Sequence, residues 1–322
     1  MSKAEVVVGI DIGGTNTVFG FVDNEGNLIY ESSLPTNAQD KAELLFDRLF
    51  NKIDTDFKKF SAKYELCGIG IGAPNANYYN GTVENPPNLS WGYINVIEIC
   101  KKYSPLPAAI TNDANAAALG EMLFGAAKDM KNFILITLGT GLGSGIVVNG
   151  ELIYGADGFA GEIGHTIVDP NGRECGCGRK GCLETYASAT GIRRTVYELM
   201  GTTMIPSELR NIPFSQLTAK DINDAANRGD KLALKAFDFT SYLLGLKLAD
   251  SVAYTSPEAI ILFGGLALAG DLIIKPTARY MEENMLNIFK NKVKILPSAL
   301  TGCSAAILGA GALIWNELKK SY

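Results

Sequence analysis

The chain has 322 residues, 47% of them apolar, with a formal net charge of −5 and a pI near 5.2. This length predicts about two domains, and the apolar share is large enough for well-packed cores, which argues against a disordered chain. The acidic balance argues against a nucleic-acid-binding protein, which normally presents a basic face.

Neither an export signal nor a membrane span is predicted. The first residues, MSKAEVVVGIDIGG, lack the cleavable apolar stretch of a signal peptide. The longest apolar runs, Ala259–Gly270 and Ala305–Trp315, are too short to cross a bilayer. We therefore expect a cytoplasmic protein with reduced cysteines and with neither a membrane nor a nucleic acid as partner.

A three-stranded meander opens the chain, followed by alternating helices and strands. The predicted strands of the meander are Val6–Ile10, Val18–Val22 and Leu28–Ser32. The elements predicted after it are helix Ala42–Phe60, strand Leu66–Ile71, loop Asn75–Trp91, helix Ile94–Tyr103, strand Ala108–Thr111 and helix Ala114–Phe124, with Asn112 or Asp113 as its N-cap.

A second meander resembles the first and predicts a duplicated unit with two related lobes. It consists of strand Phe133–Leu138, turn Gly139–Gly145, strand Ile146–Val148 and strand Glu151–Tyr154. The elements predicted after it are helices Ala187–Met200, Ala219–Arg228 and Lys231–Ser256 (the last one interrupted), strand Ile260–Phe263, helix Cys303–Lys319 and a linker around Gly201–Gln216.

One histidine and three cysteines within eighteen residues have the composition of a structural zinc site. These residues are His165, Cys175, Cys177 and Cys182. Glycines at 176, 178 and 181 let a short loop wrap an ion, because they tolerate positive φ. The alternatives are a disulfide knot or loose thiols, but three cysteines cannot pair fully and the context is reducing.

Two glycine turns, one in each meander, are candidates for binding phosphate groups through backbone N–H groups and hydroxyls. The candidate residues are Gly13, Gly14, Thr15, Asn16 and Thr17 in the first turn and Gly139, Thr140 and Gly141 in the second. Either turn alone could be an ordinary glycine turn, and the chain has no Walker motif. Gly264 and Gly265 could bring backbone close to an adenosine, or they could form a simple strand-to-helix turn.

Three motifs resemble the ROK family of bacterial sugar kinases, within the actin-like ATPase and sugar kinase superfamily. They are Asp11–Asn16 (DIGGTN), Gly139–Gly143 (GTGLG) and Cys175–Glu184 (CGCGRKGCLE) with the following Thr185–Ser188. The resemblance extends from Val7 to the last helix. It implies an α/β, two-lobed actin-like ATPase (ribonuclease H-like) fold of duplicated βββαβα units with a cleft between the lobes. We expect a small first lobe at 1–113, with helix 303–322 packing back on it, and a large lobe at 114–302 that carries the zinc site.

The resemblance implies that Asp113 is the catalytic base and that Asn112 binds the sugar. A carboxylate can accept the proton of a sugar hydroxyl and aim its oxygen at the γ-phosphorus. The alternative is that Asp113 serves only as an N-cap. The resemblance further implies that Asp11 holds the water shell of the Mg²⁺ that accompanies ATP.

The resemblance also places Glu162, His165 and Glu184 in the sugar site. Each carboxylate can accept two hydroxyl hydrogens. His165 can bind zinc through one ring nitrogen, which leaves the other for a sugar hydroxyl or a carboxylate. The zinc would be structural, because four protein ligands leave no open position. Loop Asn75–Trp91, with Asn88, would close over the sugar, unless it is only a surface loop.

The predicted activity is ATP-dependent phosphorylation of a hexose at the 6-hydroxyl, with glucose converted to glucose 6-phosphate. Kinases for N-acetylmannosamine, N-acetylglucosamine, fructose or mannose remain open alternatives, as does a phosphoryl donor other than ATP. A sugar-responsive repressor or a non-catalytic sensor is the alternative from another class. Because the first strand starts at Val6, we expect no room for a helix-turn-helix before it. The apolar second half and the family both favour a homodimer or a larger even assembly.

Overall fold

The computed structural model describes residues 3–300 and 304–320, and its contacts divide the chain into two compact units. Unit 1 comprises Met1–Asp129, Leu152–Ala160 and Ala299–Tyr322, and unit 2 comprises Met130–Glu151 and Gly161–Ser298. The first lobe was predicted to end at residue 113. It continues further along the chain because the helix that begins there packs on the C-terminal helix.

The bounds of the regular elements follow in chain order. The strands are β1 (Ala4–Ile12), β2 (Asn16–Val22), β3 (Leu28–Pro35), β4 (Tyr64–Gly72), β5 (Ala76–Asn77), β6 (Thr82–Glu84), β7 (Tyr93–Asn95), β8 (Ala108–Thr111), β9 (Phe133–Leu138), β10 (Leu142–Val148), β11 (Glu151–Leu152), β12 (Ala259–Phe263) and β13 (Lys294–Pro297). The helices are α1 (Ala42–Phe57), α2 (Val96–Cys100), α3 (Asp113–Phe124), α4 (Ala189–Thr202), α5 (Ala219–Asn227), α6 (Lys231–Thr255), α7 (Asp271–Asn284) and α8 (Ser304–Lys320).

Unit 1 is built on a five-stranded sheet in the order β3-β2-β1-β4-β8. β1 pairs antiparallel with β2 and parallel with β4. Helix α8 packs closely against this sheet at two glycines, Gly9 and Gly70, which have no side chain. A Cβ atom at Gly70 would clash with the carbonyl oxygen of Ala310, and one at Gly9 would clash with that of Ile307. Strands β1, β4 and β8 all end at the same edge of the sheet, which brings Asp11 near Asp113.

Unit 2 repeats the topology of unit 1. Its sheet has the order β11-β10-β9-β12-β13, with β9 antiparallel to β10 and parallel to β12. Helices α4, α5, α6 and α7 contribute buried apolar side chains to one core together with β9 and β12. The shared order of an antiparallel meander followed by two parallel strands confirms the duplicated unit.

The structure differs from the predicted elements in several places. The predicted loop Asn75–Trp91 contains β5 and β6, which form a small sheet with β7. Helix α6 is continuous, because its buried face runs uninterrupted from Leu232 to Val252. The predicted linker around Gly201–Gln216 lies inside unit 2, where Leu209 is buried in the core.

Three further points concern the ends of elements and their hydropathy. Helix α2 is shorter than predicted, and α7 and β13 were not predicted. The predicted start of the last helix at Cys303 lies outside the described residues. Within the parts of the chain that the structure describes, no helix combines the length and the hydropathy that a membrane crossing requires.

Candidate active site and metal centre

The first glycine turn, between β1 and β2, is fixed by a buried pair of threonines. Gly13 N–H donates to Asn16 O at 3.1 Å. The Thr36 hydroxyl donates to Gly13 O at 2.7 Å and lies 2.9 Å from the Thr17 hydroxyl. Thr36 N–H also donates to Thr15 O at 2.9 Å. Sequence reasoning missed Thr36, because only the pairing of β2 with β3 brings it to the turn.

Asn88 lies directly against this turn. A Cβ on Gly14 would be 2.9 Å from Asn88 Cβ, so only glycine allows the approach. Thr15, Asn16 and Asn88 are exposed. The structure therefore brings the predicted sugar residue Asn88 next to the predicted phosphate turn.

Asp11 and Asp113 lie on either side of Gly72, at the carboxyl edge of the unit 1 sheet. A Cβ on Gly72 would lie 3.4 Å from Asp11 Oδ1 and 3.8 Å from Asp113 Cα. The side chain of Asn112 accepts a hydrogen bond from Ala114 N–H at 2.9 Å, which makes Asn112 the N-cap of α3. Asp113 Oδ1 accepts from the same N–H at 2.8 Å.

Both carboxyl groups have raised pKa values. Burial and, as a smaller cause, the negative charge of Asp113 together raise the pKa of Asp11 to about 7. Desolvation by the surrounding protein also raises the pKa of Asp113, against hydrogen bonds from Ala114 N–H and its own N–H, although the residue keeps solvent access. A hard divalent cation binds oxygen ligands, and its charge would favour the ionised form of both Asp11 and Asp113. The pair therefore suits such a cation.

The predicted metal ligands come together in unit 2. One ligand atom from each of His165, Cys175, Cys177 and Cys182 lies within 4.8 Å of the others. Cys175 Sγ is 3.7 Å from His165 Nδ1, and Cys177 Sγ is 3.6 Å from Cys182 Sγ. Tetrahedral zinc with Zn–S bonds of about 2.3 Å separates its sulfur ligands by about 3.8 Å, so the donor set and its spacing fit zinc. The three cysteines form no disulfide.

The loop of the metal centre depends on two of its three glycines. Gly178 and Gly181 have φ of +85° and +71°, whereas Gly176 does not have positive φ, contrary to the prediction. Burial raises the pKa of the Cys177 thiol, but hydrogen bonds from Arg179 and the neighbouring thiols outweigh burial and lower it to about 6. A thiolate, the form that binds metal, is thus favoured at Cys177.

Two carboxylates flank His165 on different sides. Glu184 Oε1 is 3.8 Å from His165 Nδ1 and accepts a hydrogen bond from Cys175 Sγ at 3.1 Å. Glu162 Oε2 is 3.9 Å from His165 Nε2. Nδ1 therefore faces the cysteines, and Nε2 faces Glu162. The other oxygen of Glu184 accepts from Leu142 N–H at 3.3 Å, which connects the metal centre to the second glycine turn.

That second turn is shorter than predicted. Gly139 N–H donates to Gly141 O at 3.0 Å, and strand pairing with β9 begins at Leu142. The predicted turn Gly139–Gly145 therefore ends at Gly141, because the later glycines belong to β10. Thr140 is exposed at the tip of the turn.

Gly264 packs against the base of this turn. It has φ of +98°, and a Cβ on it would lie 2.8 Å from Leu138 O. Leu266 N–H donates to the same carbonyl at 3.0 Å. Gly264 and Gly265 are thus held beside the Gly139 turn within unit 2.

Gly265 adjoins a cavity of about 420 Å³. The sequence did not predict this cavity. It is lined by Ala189, Ala219, Lys220, Asn223, Asp224, Gly265, Leu266, Leu268 and Ala269. Its volume, and its mostly apolar lining with a few polar groups, are in the range of small-molecule sites.

The duplicated sheets and the glycine turns at their edges identify the class of this protein: it has the two-lobed actin-like ATPase fold, as its structural neighbours do. Within that class the chain belongs to the ROK family, whose family model matches residues 7–317.

Three similar proteins show the range of this family. A glucokinase of Halalkalibacterium halodurans is 37% identical over 316 residues, covering 96% of this chain and 95% of the relative. A solved ROK family glucokinase from Streptomyces griseus, in complex with glucose and AMPPNP, is 31% identical with a TM-score of 0.79 and covers 96% and 98% of the two chains. A xylose repressor of Bacillus subtilis is 29% identical, covering 97% of this chain and 77% of the repressor.

Proposed function

We propose that this chain catalyses the ATP-dependent phosphorylation of glucose at the 6-hydroxyl, giving glucose 6-phosphate and ADP. The observation that carries the proposal is the carboxyl pair Asp11 and Asp113 beside the first glycine turn, in a chain 37% identical to a glucokinase. The glucose and AMPPNP bound by the Streptomyces griseus relative support both substrates.

Asp113 is the proposed general base. Its Oδ1 is engaged by Ala114 N–H, so Oδ2 takes the proton of the 6-hydroxyl. The raised pKa makes it a stronger base than an ordinary aspartate. The sugar oxygen, once oriented, attacks the γ-phosphorus, a reaction that needs positioning more than basicity.

Five residues are proposed as sugar ligands. Glu162, His165 and Glu184 lie around the candidate metal centre, and Asn88 and Asn112 are proposed as further ligands of the sugar. Glu184 is partly buried and Glu162 half-exposed, so their oxygens can accept hydroxyl hydrogens from adjacent positions of a pyranose. A sugar that lacks one of these hydroxyls would bind more weakly, because the polar group of the site that contacts this hydroxyl would be left unpaired.

ATP is proposed to bind through the two glycine turns, whose backbone N–H groups suit phosphate oxygens. Asp11 would hold Mg²⁺, which would neutralise charge on the phosphates. The cavity beside Gly265 would take the adenine base.

The Cys₃His centre is proposed to hold one structural zinc ion per chain. With four protein ligands the ion would fix the positions of His165 and Glu184 rather than activate a substrate. Thiols serving as metal ligands suit a reducing compartment, which supports the proposed cytoplasmic location.

Product analysis tests the proposal. Protein supplied with glucose, ATP and Mg²⁺ should give glucose 6-phosphate, identified by its ³¹P NMR spectrum, in equal amount to ADP. A phosphate on another hydroxyl, or ADP release without sugar phosphate, would refute it. Polyphosphate offered in place of ATP identifies the donor in the same assay.

A further inference from the structure

Arg173 is a buried cation whose hydrogen-bonding capacity is fully used. Its Nε and one Nη donate to the carboxylate of Glu198 at 2.8 and 2.5 Å. The other donated bonds reach Thr185 O at 2.6 Å, Gly191 O at 3.1 Å and Thr195 Oγ1 at 2.9 Å. A guanidinium has five N–H donors in a rigid fork, so none is left over. A buried charge is tolerated only when it is paired and hydrogen-bonded in this way.

Tyr186 holds Arg173 from a further side. The guanidinium carbon lies 4.3 Å from the centre of the tyrosine ring, a cation–π contact. The tyrosine hydroxyl accepts a hydrogen bond from the backbone N–H of Arg173 at 3.1 Å. Backbone and side chain are both fixed, two residues before the metal ligand Cys175.

The carbonyl partners of Arg173 belong to the segments that carry the site. Thr185 directly follows Glu184 in the turn Leu183–Thr185. Gly191 lies in the first turn of α4, where Ala189 N–H donates to Gly139 O at 2.8 Å. One guanidinium thus connects the backbone beside Glu184 to the helix that binds the second glycine turn.

The side chain of Glu184 has only long or weak contacts within unit 2, so the position of its backbone matters. Ser188 Oγ also holds that backbone, donating to Glu184 O at 2.7 Å. The carboxylate of Glu184 meets Leu142 N–H at 3.3 Å and the sulfur of Cys175 at 3.1 Å. Thiols are weak donors, and a hydrogen bond near 3.3 Å is at the long end of the normal range. A displacement of about 1 Å in a substrate-positioning group can cost about a hundredfold in rate.

We propose that Arg173 is a positioning residue for Glu184: through the Thr185 carbonyl it holds the sugar-binding carboxylate in place, independently of the metal. The inference rests on the proposed function, in which Glu184 binds sugar hydroxyls. Lysine cannot replace this arginine, because an ammonium has three donors at a single point.

Arg173→Lys tests the proposal. The KM for glucose should rise at least about tenfold while kcat changes less than about threefold, because a carboxylate that binds the ground-state sugar contributes mainly to binding. Zinc content should match the wild type. Arg210→Lys is the control, since Arg210 is an exposed arginine of unit 2 that donates to three backbone carbonyls, those of Met200, Thr203 and Ile205. The control should keep the wild-type KM for glucose even if its Tm falls.

Glu198→Gln is the second variant, because its side chain is more than half exposed and its loss threatens folding less. It should raise the KM for glucose by about threefold, since a neutral partner binds the guanidinium less tightly. If Arg173→Lys folds, an unchanged KM for glucose overturns the proposal; if it does not fold, an unchanged KM in Glu198→Gln does so. A wild-type protein that leaves glucose unphosphorylated refutes the proposed function instead.

Discussion

Asp113 is the residue on which the proposed chemistry depends most directly. We expect Asp113→Asn to lower kcat by at least about a hundredfold, because asparagine cannot accept the hydroxyl proton. Glucose affinity should stay within a few-fold, since the amide keeps the shape of the side chain. Steady-state rates together with calorimetric glucose binding measure both quantities. Near-wild-type turnover in a folded variant would place the base elsewhere.

We predict that the ionised Asp11 side chain lowers the free energy of unfolding when no metal is bound. Its folded-state pKa of about 7 lies above the ordinary value of 3.8, so the folded protein retains the proton and loses stability as pH rises from about 4 to 7. Asp11→Asn should therefore stabilise the Mg²⁺-free protein by about 1–3 kcal/mol at pH 8 and by much less at pH 4.

Urea unfolding at both pH values measures this effect of Asp11. Asp54→Asn, at an exposed position of α1, is the control for the loss of one carboxyl group. Equal stabilisation by Asp11→Asn at pH 4 and pH 8 would mean that the pKa of Asp11 is not raised.

The sequence predicts the role of a residue when the signal lies in its immediate neighbours. It does not predict a role that depends on tertiary contacts. Asn112 was one of two predicted caps, because asparagine before a small-residue helix is a local signal. The cluster of four candidate metal ligands was likewise readable from spacing and residue type. Thr36 and Arg173 gave no such signal, since a threonine just after a strand and an arginine in a loop acquire their roles only from distant partners.

The metal loop is the element whose integrity the proposed activity needs. We expect purified protein to contain about one zinc per chain. Cys177→Ser should lower both the Tm and the affinity for glucose, because the loop beneath His165 and Glu184 loosens. Cys67→Ser, outside the metal centre, is the control and should retain zinc and affinity. Zinc-free protein with full activity would contradict the structural role.

Regular elements were predicted best where apolar residues are abundant over the whole element. Strand β9 and the bounds of the long helix α6 were readable for this reason, although α6 was wrongly predicted to be interrupted. The strands β5 and β6 were missed, because two or three residues carry too little pattern to be read. Helix α7 was missed because Pro276 lies inside it and proline normally ends a helix.

At the scale of the whole molecule, the duplication was visible in two short glycine motifs, and it accounts for the topology of both sheets. The division of the chain was harder to predict. Leu152–Ala160 groups with unit 1 although it follows a strand of unit 2, since Asn77 donates to Asp157 O and Tyr79 to Gly155 O. Such long-range hydrogen bonds leave no local trace in the sequence.

We also propose that the protein is a homodimer or a larger even assembly, with the contact in unit 2. Large apolar side chains of unit 2 are exposed, among them Phe239, Tyr242, Tyr254, Leu286 and Ile288. Exposed apolar surface of this kind favours association, and two-fold symmetry is its commonest form. Light scattering during gel filtration should give an even multiple of 34.4 kDa. A monomer at micromolar concentration with full activity would show that assembly is not required.

Sugar preference tests the central claim most directly. The measurement is kcat/KM by coupled ADP release for glucose, mannose, fructose, N-acetylglucosamine and N-acetylmannosamine, with Asp113→Asn as the blank. The account predicts the highest kcat/KM for glucose, with ADP formed only when sugar is present. A higher kcat/KM for either N-acetylhexosamine would contradict the account, as would no sugar-dependent ADP release from the folded protein.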